Sequence, residues 1–531
     1  MAKKKQPNVV ILNPDEMRAD TLHHLGNPGA VTPNLDRLAA EEGVSFRNTY
    51  CQNPVCVPSR CSFLTGWYSH VRGHRTMTHM LHEDEPILFR TMREQGYYVW
   101  MSSRNHFLPR DKENWYEGVA DEVCVATDHK LDPPPGFIPL FFTGGVDDRR
   151  GEPGGDNYYS FYRGRLEPSA ELGKFYDRDA CWLEGALNFI HNRPKDKPFC
   201  LFLPILYPHP AYGVIEPFYS MIDRSQVPPR IPTPESWKNK PSILAGLHEL
   251  LGLKNWDEER WNELRATYLG QVARVDDMFG QLVGALKEEG LYDETLLIMF
   301  SDHGDYTGDY GMVEKTQNTF EDCLVNVPLV IKPPASEACR PGIRDNPLVE
   351  LIDFYATVED YCGLTSKHTH FGRSLRPLID GGSDSHREAV FCEGGRLHGE
   401  EHCMEIDSNP NLDKKMEYWP RMYMQRSEGP EHTKAIMCRT RDYKYVRRLY
   451  EKDELYDLNS DPQELNNRID DPALAPVLAD LKEKVLSHYL ETGDVVPHTI
   501  DSRWPGKKEL DRIFTLYADK LDLPGTEKKE T

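Results

Sequence analysis

Five short apolar runs, rich in β-branched residues, punctuate the first two thirds of the chain, at residues 8–12, 97–101, 199–205, 295–300 and 328–331. Runs that are apolar throughout, rather than alternating, predict strands buried on both faces, the pattern of a parallel sheet. Between them the apolar period lengthens to that of a helix. One helix is predicted to open at Thr32-Pro33, pass through Leu35, Leu38 and Ala39, and stop at Gly43, with proline at its first position and glycine past its end. A longer amphipathic helix is predicted over residues 268–290. Strands alternating with helices imply an α/β sheet covered on both faces.

Two stretches break the alternation. Residues 109–175 are rich in Gly, Pro, Asp and Tyr, and residues 213–262 are similar, so both are expected to form loops around a pocket. After Pro377 the character changes. Strand-like runs at 389–392, 435–439 and 443–447, a polar stretch at 394–418 and a helix at 473–490 predict a smaller α+β domain. The expected division is a catalytic domain at 1–377 and a C-terminal domain at 378–531, with a disordered tail at 527–531.

Composition narrows the function. At 39% hydrophobic and 28% charged residues, 531 residues supply a large core and a polar surface. The net charge of −22 argues against nucleic acid or an anionic membrane as partner, and homo-oligomers are allowed. No segment has the pattern of a signal peptide or a membrane span, so a cytoplasmic location is expected. The 12 cysteines, from Cys51 to Cys438, have neither zinc-module spacing nor the context of a disulfide framework.

Candidate chemistry gathers where strands end, the edge at which open α/β sheets bind ligands. Asp15 follows the first run, Arg104 and His106 the second, His209 the third, Asp302 and His303 the fourth. Asp15, Asp302 and His303 suit one divalent cation. Two carboxylates favour Ca²⁺ or Mg²⁺, and the imidazole leans toward Mn²⁺ or Zn²⁺. In the segment Cys56-Val57-Pro58-Ser59-Arg60 the proline can open a helix, placing Cys56 just before its first turn, where amide N–H groups favour an anion. Arg60 adds a forked cation suited to tetrahedral oxyanions. His70, His74, His79 and His82 are irregularly spaced and read as a polar pocket wall rather than a second metal site.

With Phe63-Leu64-Thr65-Gly66, this segment resembles the signature of the type I, formylglycine-dependent sulfatases of the alkaline-phosphatase superfamily. The resemblance covers most of the chain. It includes residues 8–12 with Asp15, the helix from Thr32, Gly96-Tyr97 through Arg104-Asn105-His106, Pro208-His209, Ser301-Asp302-His303-Gly304 with Lys315, and residues 454–458 with 461–466. Four positions depart from the usual pattern. Val57 replaces a small residue, Pro14 a second Asp, Arg104 a Lys and, relative to some members, His303 an Asn. The last feature is shared with phosphonate monoester hydrolases.

The resemblance implies a large mixed, mostly parallel sheet sandwiched by helices, with a smaller C-terminal α+β domain. It implies oxidation of Cys56 to formylglycine by a maturation enzyme, and one divalent ion, Ca²⁺ first with Mn²⁺ or Mg²⁺ as alternatives, held by Asp15, Cys56, Asp302 and His303. The hydrated aldehyde would attack sulfur. His209 or Lys315 would assist the departing alcohol, His106 would deprotonate the second hydroxyl, and Arg60, Arg104 and Lys315 would hold sulfate oxygens. The expected substrate is a small sulfated carbohydrate of glycosaminoglycan type, its leaving group lined by residues 109–175 and 394–417. Two other readings are a phosphonate or phosphate monoester hydrolase on the same fold and a non-catalytic protein that binds sulfated glycans.

Overall fold

The computed structural model describes residues 5–110, 114–125, 151–167, 177–405 and 411–498. Parts of the expected pocket loops, and the expected disordered tail, lie outside the described residues. Eight strands build the main sheet: Asn8–Asp15 (β1), Val44–Phe46 (β2), Tyr98–Ser102 (β3), Glu122–Cys124 (β4), Phe199–Pro208 (β5), Thr295–Phe300 (β6), Leu329–Lys332 (β7) and Gly342–Arg344 (β8). Their order is β8-β2-β7-β6-β1-β5-β3-β4. The four central strands, β6, β1, β5 and β3, run parallel. They are the uninterrupted apolar runs, and nearly every residue in them is buried.

Helices cover both faces, and ring contacts show how. Phe189 of the helix Arg178–Asn192 meets Phe199 of β5, whereas Phe89 of the helix Leu88–Glu94 meets Phe202. Positions three apart on a strand point to opposite faces, so these two helices sandwich the sheet. Phe63 of the helix Cys56–Thr65 packs edge-on against Phe300 of β6 and Phe354, on the second face.

Two expectations about these elements change. The run at 328–331 pairs antiparallel with both neighbours, so continuous apolarity marked burial on both faces but not strand direction. The long helix spans Glu258–Glu288 and starts ten residues before the predicted Tyr268. Its entry is marked by Asp257, whose carboxylate accepts from the Arg260 N–H, followed by Glu258 and Glu259 in the first turn. Residues 213–262 therefore contain structure: besides this start, the helix Ser242–Leu251 and most of the strand Tyr212–Ile215.

A separate four-stranded antiparallel sheet follows: Val390–Gly394 (β9), Ala435–Arg439 (β10), Tyr443–Arg448 (β11) and Glu454–Asp457 (β12), paired in chain order. The helix Ala475–Thr492 packs on it through Leu481, beside Cys438, Tyr445 and Leu455. This sheet is joined to the main body at residues 317–322. The Lys444 ammonium donates to the Phe320 carbonyl (2.8 Å) and Asp322 (2.6 Å), and Arg448 donates to the Asn318 carbonyl (2.9 Å). Among the described residues no helix is long and apolar enough to cross a membrane.

Gly394 sits in this seam. A Cβ there would lie far inside van der Waals contact of the Gln317 carbonyl oxygen, which is backbone and cannot swing aside. Gly394→Ala is expected to destabilise the protein by about 1–3 kcal/mol, the usual range for overpacking. A lowered urea midpoint at unchanged m-value would show it, and an unchanged midpoint would mean that the seam yields freely.

Candidate active site

Because β6, β1, β5 and β3 are parallel, their carboxyl ends share one edge, and each delivers polar side chains there. β1 ends on Asp15, and Glu16 follows in a left-handed conformation (φ 67°). β6 is followed by Asp302 and His303, β3 by Arg104 and His106, and β5 by His209. Cys56 comes from a different element and is itself the first residue of the helix Cys56–Thr65, not the residue before it. Pro58 falls at the third helical position, where its missing N–H costs nothing because first-turn amides have no partner within the helix.

These residues meet in a fully enclosed cluster. Asp15, Arg60, Asp302 and His303 are 0% exposed and Cys56 is 1% exposed. One ligand atom from each of Asp15, Cys56, Asp302 and His303 lies within 4.8 Å of the others. The Cys56 Sγ is 3.1 Å from His303 Nε2 and 3.4 Å from Asp15 Oδ1. His303 Nδ1 is 2.9 Å from the Gly304 carbonyl, which can only accept. The ring proton therefore sits on Nδ1, and Nε2 presents its lone pair to the cluster.

Arg60 lies on the outer side. Its Nε donates to Asp302 Oδ2 (2.8 Å), its Nη2 to Asp15 Oδ2 (3.0 Å) and its Nη1 to the Arg104 carbonyl (3.3 Å). All three nitrogens are thus engaged with protein, so Arg60 clamps the two carboxylates rather than reaching for sulfate oxygens. Arg104 also donates to Asp15 Oδ2. With the Oδ2 atoms held outward, both Oδ1 atoms face His303 Nε2, at 3.6 and 3.9 Å. Two carboxylate oxygens, an imidazole lone pair and the side chain of residue 56 form a donor set that fits one divalent cation.

The electrostatics follow from this packing. Burial opposes the charge on Asp15, but Arg104 and Arg60 overcome it and hold its carboxyl well below the usual range. Burial and Asp15 together push the Cys56 thiol well above its ordinary value. His303 is depressed by burial, His209 by burial and Lys315, and His106 by burial, Arg104 and Arg60, so all three favour the neutral ring.

The second half of the site surrounds Lys315. Its ammonium donates to Glu16 (2.7 Å) and Glu314 (2.7 Å) and lies 3.3 Å from His209 Nε2. His209 Nδ1 is bonded to the Pro210 carbonyl (2.6 Å), which leaves Nε2 as the acceptor. Burial works against the Lys315 charge, but Glu16 and Glu314 keep it well above its usual value. His106 is in the left-handed region (φ 48°), and its buried Nδ1 has no partner among the described residues.

Four contributors were missed by the sequence reading. Glu16 and Glu314 flank Lys315. Arg421 holds Glu314 (3.3 Å) and Glu405 (3.2 Å), and Tyr418 interacts electrostatically with Lys315. Glu16 and Glu314 adjoin residues that were singled out, but Arg421 and Tyr418 come from a stretch with no legible motif. The described parts of the two expected pocket regions do meet: Tyr159 donates to the Lys414 carbonyl (2.7 Å) and stacks on Trp419, with centroids 5.8 Å apart. The four clustered histidines do not share one centre. His70 pairs with Glu393 (2.8 Å) and His79 with Thr76 (2.6 Å), while His74 pairs with Glu85 (2.9 Å) beside the ring of His82 (centroids 6.0 Å apart), which lines a surface cavity of about 790 Å³.

Comparison with known proteins is consistent with this geometry. The family model described as Sulfatase matches residues 7–364. The chain is 26% identical to the multifunctional alkaline phosphatase superfamily protein PehA of Trinickia caryophylli, over 92% of this chain and 96% of that one. It is 22% identical to an N-acetylglucosamine-6-O-sulfatase of Bacteroides thetaiotaomicron, over 87% and 82%. Among solved structures, the phosphonate monoester hydrolase of Agrobacterium radiobacter superposes with a TM-score of 0.71 at 23% identity, covering 92% of this chain and 96% of that one.

The Arg60 clamp generates a prediction. Arg60→Lys keeps the charge but can bridge only one carboxylate. Divalent-cation affinity, measured by calorimetric titration, is expected to fall by roughly 10–100-fold, as for other groups that orient metal ligands. Unchanged affinity would show that Asp15 and Asp302 need no clamp.

Proposed function

The chain belongs to the sulfatase family and is a sulfuric ester hydrolase, and we propose that it cleaves a sulfate monoester of a carbohydrate using a formylglycine made from Cys56 and one divalent cation. The observation that carries this reading is the meeting of the Cys56 side chain with Asp15, Asp302 and His303 in one buried cluster. In the structure Cys56 is an unmodified thiol and stands in for the oxidised side chain.

Oxidised, residue 56 would supply a hydrated aldehyde, one hydroxyl of which can attack sulfur while the other later expels sulfate. The cation, Ca²⁺ in first place, would supply positive charge at the sulfate oxygens and acidity at the attacking hydroxyl. The remaining work falls to the chain's own groups. Asp15, Asp302 and His303 would hold the ion, and Arg60 orients both carboxylates. Arg104 and Lys315 border the space where negative charge builds in the transition state, the arrangement that electrostatic catalysis needs. Lys315 carries the proton that the departing alcohol oxygen needs, and His209 Nε2, which faces its ammonium at 3.3 Å, is placed to relay it. His106, with its unpartnered Nδ1, is the candidate base for the second hydroxyl. Because Cys56 is enclosed, a maturation enzyme must oxidise it before the pocket closes.

The carbohydrate assignment is supported by the named sulfatase relative and by aromatic side chains on this segment, Tyr418 beside Lys315 and Trp419 stacked on Tyr159. A second reading, phosphonate monoester hydrolysis, is favoured by the imidazole of His303 in the donor set. Assaying an aryl sulfate against an aryl phosphonate monoester separates the two, and a panel of sulfated mono- and disaccharides then identifies the sugar.

Three outcomes are expected. Protein from a host with active maturation machinery carries –CHO in place of –CH₂SH at residue 56 by peptide mass, and Cys56→Ala abolishes turnover. Full activity in Cys56→Ala would end the proposal. His209→Asn should lower kcat by about 10²–10⁴-fold on alkyl sulfates, whose alcohols need a proton, and much less on aryl sulfates with good leaving groups. Equal losses on both would remove His209 from the path of that proton.

A further inference from the structure

We propose that Glu400, His402 and Cys403, joined by His79, form a second metal site, for a borderline-soft divalent ion of the zinc type. The site is separate from the cluster around Cys56. One ligand atom from each of Glu400, His402 and Cys403 lies within 4.8 Å of the others, on the short helical turn Glu401–Cys403 and the residue before it. Carboxylate, imidazole and thiol together form the mixed O, N, S set that zinc accepts and that Ca²⁺ and Mg²⁺ disfavour.

His79 approaches from the other side of the seam, on the stretch between the helix Ser69–Arg72 and residue 86. Its ring centroid is 5.8 Å from that of His402, and the rings are inclined at 74°. Two imidazoles on one tetrahedral ion, with Zn–N near 2.0–2.1 Å, place their centroids roughly 5 Å apart. The separation found is within about 1 Å of the one a shared ion requires. His79 Nδ1 is already bonded to Thr76 Oγ1 (2.6 Å), which leaves Nε2 on the outward side. This is the arrangement in which a hydrogen bond at one ring nitrogen orients the other toward a metal.

Glu400 is held in the same way. Its Oε1 accepts from Arg75 Nη2 (2.7 Å) and its Oε2 from the Leu397 N–H (2.7 Å), so each oxygen keeps a lone pair. Burial opposes its charge, but the Leu397 N–H and Arg75 keep Glu400 below its usual value, ionised and available. Cys403 is 9% exposed and His402 is exposed, so an ion can enter from solvent. Burial and Glu400 push the Cys403 thiol up, so coordination must displace its proton to solvent.

The position gives the site a purpose. Cys403 lies two residues before Glu405, which holds Arg421, which in turn holds the Glu314 beside Lys315. An ion bound here would pin the segment after β9 to the stretch bearing His79 and stiffen the wall of the active site from outside it.

The test uses the full chain with Cys56→Ala, so that no thiol remains in the first cluster. After chelation, Co²⁺ is added and the thiolate-to-cobalt charge-transfer absorption is followed. One saturating equivalent is expected to develop that band. Cys403→Ser in the same background removes it, and His79→Ala or His402→Ala weakens binding by roughly 10-fold or more, at least the loss typical of an orienting partner. Circular dichroism checks that each variant is folded. No thiolate band in Cys56→Ala, or a band that survives Cys403→Ser, overturns the proposal. Sulfate ester hydrolysis by the otherwise unaltered enzyme is assayed separately, so failure of this site and failure of the family's reaction are told apart.

Discussion

A guanidinium with no solvent exposure, bridging two carboxylates from different strands, holds the candidate active site together. Asp15 ends β1 and Asp302 follows the adjacent parallel strand β6, and without a cation between them they would repel in a medium of low polarity. Arg60 is permanently charged, planar and forked, so it satisfies one oxygen of each carboxylate and leaves the other oxygen of each facing inward. Breaking such a pair by removing one partner typically costs about 3–5 kcal/mol, because a buried charge is stranded. The clamp also explains why Cys56 lies where it does. Arg60 is four residues, about one helical turn, beyond Cys56, so anchoring Arg60 to the two aspartates places the start of that helix against His303.

The second constraint reaches the site from the C-terminal side. Lys315 is held between Glu16, at the end of the first strand, and Glu314, and Glu314 is held by Arg421. The chain then runs directly into residues 317–322, on which the small antiparallel sheet docks through Lys444 and Arg448. Displacing that sheet would therefore move Lys315. The small sheet is part of what fixes the geometry around Lys315, next to His209.

Legibility in the sequence followed the range of the interactions. The central strands could be read because burial on both faces writes an unbroken apolar run. Asp15, His209, Asp302 and His303 could be read because chemistry in such a sheet sits immediately after a strand. Arg60 was found by its motif, but its partners were not: a fork that bridges residues 45 and 242 positions away leaves no local periodicity. Tyr418 ends a polar stretch and Arg421 lies just beyond it, and only the folded chain shows that they back Lys315. The antiparallel direction of β7 was hidden for a similar reason, since direction is set by the path of the connection and not by strand composition. The early start of the long helix was legible in Asp257-Glu258-Glu259, a capping signal outweighed by the loop-like composition before it.

The charge balance explains how an acidic protein can attract an anion. Around Cys56, the carboxylates of Asp15 and Asp302 face the permanent cations Arg60 and Arg104, and the Lys315 ammonium faces Glu314 and Glu16, the latter pushed well above its usual value by burial, so formal charges nearly cancel. The three nearby histidines are pushed toward neutrality by burial and add little. Set within a chain of net charge −22, such a site has no large excess of positive charge of its own. In the proposed reaction a divalent ion would change the balance decisively, because it would add two charges where water is excluded and screening by salt is weak. The paired charges let the cluster stand as a folded core, and the ion would supply the attraction for an anionic ester. Fold stability and substrate attraction would then be carried by different charges, which would let a buried, nearly neutral site bind an anion.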